Sequence, residues 1–77
     1  MKIILVDSRN RKTIVDKISG SITVKELIKM LYEKNLVKTT EIELIFNGMI
    51  LTEDSKLEDY DISEGSHITY FGLFRAG

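Results

Sequence analysis

The chain has 77 residues, of which 43% are hydrophobic and 30% charged, a balance typical of one small soluble globular domain. Eleven basic and twelve acidic residues give a net charge of −1, which argues against a nucleic-acid-binding protein, since such proteins usually carry a basic excess. With no cysteine and only one histidine, His67, the sequence excludes disulfides, thiolate zinc sites and cysteine nucleophiles, and it leaves almost no ligands for a metal.

The first elements predicted along the chain are two strands joined as a hairpin. Residues 1–6 are aliphatic and β-branched, residues 7–12 are polar and favour a turn in which Asn10 adopts a left-handed conformation, and residues 13–18 again favour a strand. Alternation in the first strand predicts one inward set and one outward set of side chains: Met1, Ile3 and Leu5 inward, and Lys2, Ile4 and Val6 outward. The aliphatic run is far too short to span a membrane.

A helix of about residues 24–34 follows, and its apolar positions recur with helical periodicity. The stripe at i, i+3, i+4 and i+7 consists of Val24, Leu27, Ile28 and Leu31. Thr23 and Glu26 have the spacing of a capping box, in which each side chain accepts a hydrogen bond from the other residue's backbone amide. Asn35 is a suitable helix end, and the lysines of this segment are interpreted as a solvated face.

The remainder of the chain predicts three further strands. They cover residues 41–46, 49–51 and 66–71, with a tight turn at Asn47-Gly48 and an ordered loop with one helical turn over residues 52–61. A hairpin followed by a helix and more strands predicts an α+β domain, with the helix packed on one face of a mixed sheet of four to five strands. We expect the last strand to lie parallel to the first, in the middle of the sheet.

The same alternation predicts apolar side chains that face water. Ile45 and Phe71 would point away from the core, together with Thr69, and Ile4 would share that surface. A contiguous exposed apolar patch on so small a domain usually marks a protein interface. The alternative is a set of scattered surface hydrophobic residues, which are common in soluble proteins.

Several of these segments together resemble the ubiquitin family. Residues 44–48 (LIFNG), Leu51 and residues 57–62 (LEDYDI) match the family at the same spacings, and residues 11–14 (RKTI) are similar to its first hairpin. Arg75-Ala76-Gly77 stands where the family ends in Arg-Gly-Gly. The resemblance spans residues 1–77 as a single domain, with one insertion near the first hairpin and a flexible tail of about residues 72–77. It implies a ubiquitin-like β-grasp fold.

The resemblance also implies a function, that of a protein modifier without catalytic groups or cofactors. Partner enzymes would activate the carboxylate of Gly77, reached through Arg75 and Ala76, and join it to amines on target proteins. Expected partners are activating, conjugating and processing enzymes and ubiquitin-binding-type domains, with no nucleic acid or membrane, and the chain would be a monomer of the cytoplasm or nucleus. The alternative is a non-conjugated binding module or a unit processed from a longer precursor; sulfur carriers of the same fold match less well.

The resemblance further implies individual site residues. Ile45, Phe71, Thr69 and Gly48 align with the family's recognition patch, whereas Ser8 and Arg9 replace the patch leucine of the first hairpin. Lys12 and Lys34 occupy positions of linkage lysines and are candidate acceptors of modification. Tyr60 aligns with a structural tyrosine. Asp16 aligns with an inward leucine, and a local bulge that turns Val15 inward would resolve this conflict.

Overall fold

The computed structural model describes residues 1–73, which form one mixed sheet and one α-helix. The elements in chain order are β1 Ile3–Val6, β2 Lys12–Val15, α1 Val24–Glu33, β3 Ile42–Phe46, β4 Met49–Ile50, a 3-10 turn Leu57–Tyr60 and β5 His67–Gly72. The sheet order is β2-β1-β5-β3-β4, with β5 parallel to β1 and antiparallel to β3. The α+β β-grasp prediction is confirmed, as is the central position of the last strand.

Helix α1 begins and ends through the predicted local interactions. The Thr23 hydroxyl accepts a hydrogen bond from the Glu26 amide at 3.1 Å, and the Glu26 carboxylate accepts one from the Thr23 amide at 3.0 Å. The Thr23 amide, together with the Thr23 hydroxyl, holds the pKa of Glu26 below its ordinary value. At the other end, Asn35 has a φ of 60°, and the Leu36 amide donates to the Leu31 carbonyl at 2.9 Å. This bond satisfies a carbonyl group at the end of the helix.

The apolar stripe of α1 packs against the inner face of the sheet. Leu27 and Leu31 on the helix are fully buried, as are Ile3, Leu44 and Ile68 on β1, β3 and β5. Burial of each such side chain contributes on the order of 1.5–3 kcal/mol. The single helix therefore determines which face of every strand is the inner face.

A bulge after β2 resolves the conflict at Asp16. Ile3 pairs with Val15, whereas Met1 exchanges two backbone hydrogen bonds with Ile18, of 2.8 and 2.6 Å. One residue of the first segment therefore lies opposite two residues of the second, which defines a bulge. Val15 and Ile18, three positions apart, would face opposite sides of a regular strand, yet they are only 3% and 1% exposed. The extra residue lets both enter the core and leaves Asp16 in solvent.

The side chain of Asp7 organises the first hairpin turn. Its Oδ1 accepts hydrogen bonds from the backbone amides of Arg9 and Arg11 at 2.9 and 2.8 Å, and its Oδ2 accepts one from Arg11 Nε at 2.9 Å. Asn10 has a φ of 64°, the left-handed conformation expected from the sequence. The Arg11 amide is the main cause of a pKa of Asp7 below its ordinary 3.8, since it stabilises the charged carboxylate.

The loop before β5 is held by Tyr60. Its hydroxyl accepts a hydrogen bond from the Thr52 amide at 2.9 Å, and Leu57 of the 3-10 turn is fully buried beneath the loop. Hydrogen bonds to the Ser55 side chain and to Thr52 lower the pKa of the Tyr60 phenol from its ordinary value of 10.0. The geometry gives Tyr60 a structural role, as the resemblance implied.

Two details differ from a simple interpretation of the sequence. Val6 points outward, as alternation predicts, and is nevertheless only 8% exposed. The tail was expected to begin at Gly72, but β5 includes this residue, and the Leu73 amide continues the pairing by donating to the Glu41 carbonyl at 2.9 Å. The rest of the expected tail lies outside the described residues.

The bulge generates a stability prediction. Lys17 has a φ of 61° and an exposed side chain. Glycine would relieve a backbone strain of about 1–2 kcal/mol while costing about 0.4–1 kcal/mol in unfolded-state entropy. We expect Lys17→Gly to raise the free energy of unfolding, measured by urea denaturation, by up to about 1 kcal/mol. The matched control, Asp16→Gly, should lower it, because Asp16 has no positive φ. A loss of stability as large as that of the control would contradict the bulge.

The hairpin turn generates a pH prediction. Because the pKa of Asp7 is lower in the folded state, its carboxylate stabilises the fold above about pH 3.8, and this contribution is lost as the pH falls through the folded-state pKa. The amide chemical shifts of Arg9 and Arg11 should therefore titrate with a midpoint below 3.8. Asp7→Asn should abolish the titration and lower the Tm at neutral pH, whereas Asp16→Asn should preserve both. A midpoint at or above 3.8 would argue against these hydrogen bonds.

Candidate protein-binding surface

The sheet face turned away from α1 is here called the outer face. Residues paired directly across neighbouring strands point to the same face. The register joins Lys12 to Val6, Val6 to Thr69, Thr69 to Ile45 and Ile45 to Ile50, which forms one row across all five strands. The row runs opposite to the buried face that carries Leu5, Ile68 and Leu44.

The structure brings together the two apolar residues that the sequence singled out. Phe71 lies two residues beyond Thr69 on β5, and therefore on the outer face diagonal to Ile45, at a Cα separation of roughly 7–8 Å. Its direct partner on β3 is Glu43. Phe71 is 37% exposed and Ile45 is half-buried, so both are partly accessible to solvent on the same part of the outer face.

Sequence reasoning missed a third apolar member of this surface. Ile50, at 58% exposure, lies directly opposite Ile45 on the edge strand β4. Asn47 and Gly48, with φ values of 56° and 78°, make the two-residue turn between these strands. Such a turn fixes the register, so counting outward from Asn47-Gly48 would have paired Ile45 with Ile50. We name the set Ile45, Ile50, Thr69 and Phe71 the outer-face patch.

Ile4 lies on the outer face but apart from this patch. Ile4 pairs with His67 on β5 and with Ile14 on β2. It lies two strands and one row of paired residues away from Ile45, a Cα separation of about 12 Å. Ile14 is 60% exposed, so Ile4 and Ile14 form a second, smaller apolar spot. Ile4 therefore shares the outer face with Ile45 and Phe71, while His67 and Thr69 on β5 lie between its strand and that of Ile45.

The other predicted site residues lie elsewhere. Gly48 forms the β3–β4 turn beside the patch, where its role is conformational. Lys12 begins β2, and Lys34 caps the C-terminus of α1; both are exposed. The predicted conjugation residues, Arg75, Ala76 and Gly77, fall outside the described residues.

Two other kinds of site are not found over residues 1–73. In that range no group of three or more His, Cys, Asp or Glu side chains is placed to hold a metal ion. The single helix of the same range is neither long nor apolar enough to cross a membrane.

Comparison with known proteins supports the resemblance. No curated protein matches the chain significantly. Residues 1–69 match the family model Rad60-SLD, described as Ubiquitin-2 like Rad60 SUMO-like. The match covers β1 to β4 and the first half of β5, including Ile45, Ile50 and Thr69 of the outer-face patch, and ends before Phe71. The chain therefore belongs to the Rad60 SUMO-like family of ubiquitin-like domains.

Proposed function

We propose that this chain is a non-catalytic ubiquitin-like domain that binds partner proteins through the outer-face patch. The observation that carries the proposal is that Ile45 and Phe71 are diagonal neighbours on adjacent strands, on the face opposite the core. A domain of this size needs nearly all its apolar side chains for the core. Apolar side chains gathered in solvent on such a domain favour a binding surface over scattered exposure.

The surroundings of the patch suggest the chemistry of the partner. Phe71 and Ile50 protrude most and would enter an apolar recess. Glu43, half-buried directly opposite Phe71, would favour a basic group at that border. The patch is small, which suits a reversible contact of the kind made by ubiquitin-binding-type domains.

The patch is tested by two truncations and a control. Ile45→Ala and Phe71→Ala should each weaken binding of a ubiquitin-binding-type partner by roughly 1–3 kcal/mol, because each removes buried contact area from the interface. Isothermal titration calorimetry measures the loss, and thermal unfolding verifies that the fold survives. Tyr32→Ala, which truncates an apolar side chain of 47% exposure on α1, should leave the affinity unchanged. Equal affinity for all three variants would remove the patch from the proposal.

We also propose a covalent role, in which the Gly77 carboxylate is joined to amines. In this chemistry ATP adenylates the carboxylate with loss of pyrophosphate, an enzyme thiol displaces AMP to form a thioester, and a lysine amine displaces the thiol. The support is the ubiquitin-like Arg75-Ala76-Gly77 sequence, which begins three residues after Gly72, the last residue of β5. Residues beyond 69 lie outside the family match, so the covalent role rests on the resemblance alone. If it fails, the non-conjugated module, or a unit processed from a longer precursor, stands.

The covalent role requires that the mature chain ends at Gly77, which mass spectrometry of the protein from cells determines. Incubation with ATP and the activating and conjugating enzymes of the source organism should then give an adduct that disappears when Gly77 is deleted. Tyr32→Ala serves as the control that still forms the adduct, and peptide mapping tests Lys12 and Lys34 as acceptors. Absence of a thioester with every activating enzyme of that organism would reject conjugation and leave the binding role untouched.

A further inference from the structure

We propose that a groove at one end of the sheet binds a short acidic peptide segment of a partner protein. The groove has a volume of about 960 Å³ and lies between the first hairpin turn, residues 35–39 and the ends of β3 and β5. No residue of α1 lines it, and it shares only Phe71 with the outer-face patch. It is therefore a second surface, and the proposal does not depend on the function proposed for the first.

The groove has an apolar part among mainly polar lining residues. Val37 and Ile42 are buried core residues, at 4% and 5% exposure, and they support this part from within. Leu36 and Tyr70 are half-buried and Phe71 is partly exposed, so these three present the accessible apolar surface. An apolar side chain of a bound peptide would remove part of their surface from water and add to the affinity supplied by charge.

The rim of the groove is basic. Its cationic residues are Arg9, Arg11, Lys12 and Lys38, against the single acidic residue Asp7. Asp7 is already bound to Arg11 at 2.9 Å. Over residues 1–73, no other lining residue takes part in an ion pair. Carboxylates of a bound peptide would supply the missing opposite charge, and charge-assisted hydrogen bonds to arginine are among the stronger ones.

The walls are held in place before any partner binds. The Asp7 carboxylate fixes the backbone that carries Arg9 and Arg11. On the opposite wall, the Leu36 amide is bonded to the helix end, and the Thr39 hydroxyl accepts a hydrogen bond from the Glu41 amide at 3.0 Å. Preorganised walls lower the entropy cost of binding.

The distribution of charge along the chain argues for a short peptide rather than a nucleic acid. Residues 1–38 carry nine basic and four acidic side chains, whereas residues 39–77 carry two basic and eight acidic ones. In the sheet, β1 and β2 of the basic half lie on one side of β5, and β3 and β4 of the acidic half lie on the other. A long polyanion that continued across the sheet toward β3 and β4 would approach the acidic half and be repelled. A segment of a few residues meets only the basic rim.

The proposal is tested by NMR titration of the nitrogen-15-labelled full chain with the peptide acetyl-Asp-Glu-Asp-Leu-Asp-Glu-Asp-amide. We expect saturable shifts at Arg9, Lys38 and Tyr70, with an affinity that falls at least roughly fivefold between about 50 and about 300 mM sodium chloride. The uncharged peptide acetyl-Asn-Gln-Asn-Leu-Asn-Gln-Asn-amide should not bind. Replacing the central leucine of the acidic peptide by alanine should weaken binding, because the apolar side chains of the groove then lose their contact with the peptide.

Matched variants distinguish this groove from general attraction to positive charge. Arg9→Glu and Lys38→Glu should each lower the affinity for the acidic peptide at least roughly tenfold, and the milder Lys38→Gln should lower it less. Lys25→Glu and Lys29→Glu make the same charge change on α1 and should alter the affinity at most about twofold. Ile45→Ala should have no effect, so failure here and failure of the outer-face patch are separate results.

Four results would overturn the proposal. One is the absence of saturable shifts at about 2 mM peptide. Another is equal weakening by the Lys29→Glu control, which would mean non-specific attraction. A third is tighter binding by a DNA oligonucleotide of equal charge, which would assign the groove to nucleic acid. The last is the appearance of the same shifts on raising the protein concentration alone, which would assign the groove to the acidic half of a second copy of this chain.

Discussion

The packing of helix α1 against the inner face of the sheet is the constraint on which the remaining features depend. One helix covers one face of five strands, and its stripe meets fully buried residues of β1, β3 and β5. The other face has no covering layer over the described residues. The apolar side chains that alternation places there range from buried, as Val6 is, to exposed, as Ile50 and Phe71 are. The core and the candidate binding surface are thus two consequences of the same arrangement.

Features set by nearby residues could be predicted from the sequence. The helix is predicted by its apolar stripe and by the Thr23–Glu26 capping box. The residues of each pattern lie within one or two helical turns of each other. The bulge before Ile18 could be predicted for a similar reason, since the charged Asp16 at an inward position requires a local change of register. The fold class and the central, parallel position of the last strand followed from element order, and the structure confirms both. The family resemblance is supported by the family match.

Features that depend on spatial order were harder to predict. The separation of Ile4 from Ile45 arises because β5 lies between their strands, so that Thr69 and His67 occupy the intervening positions. The low exposure of Val6, which pairs with Lys12 on β2 and with Thr69 on β5, does not follow from alternation along β1. The groove joins the first hairpin, residues 35–39 and the end of β5, which are far apart in the sequence and show no shared pattern. The periodicity of one segment does not predict that three separate segments lie side by side.

Phe71 connects the two surfaces and constrains how they work together. On the outer face it lies opposite the acidic Glu43, whereas at the end of the sheet it borders a groove rimmed by Arg9 and Lys38. A partner that buries the Phe71 ring on either side removes it from the other side. If both proposed surfaces bind partners, their borders would favour different ligands, an acidic one in the groove and a basic one beside Glu43. Charge would then select the surface, and the shared Phe71 ring would make the two proposed modes of binding alternatives.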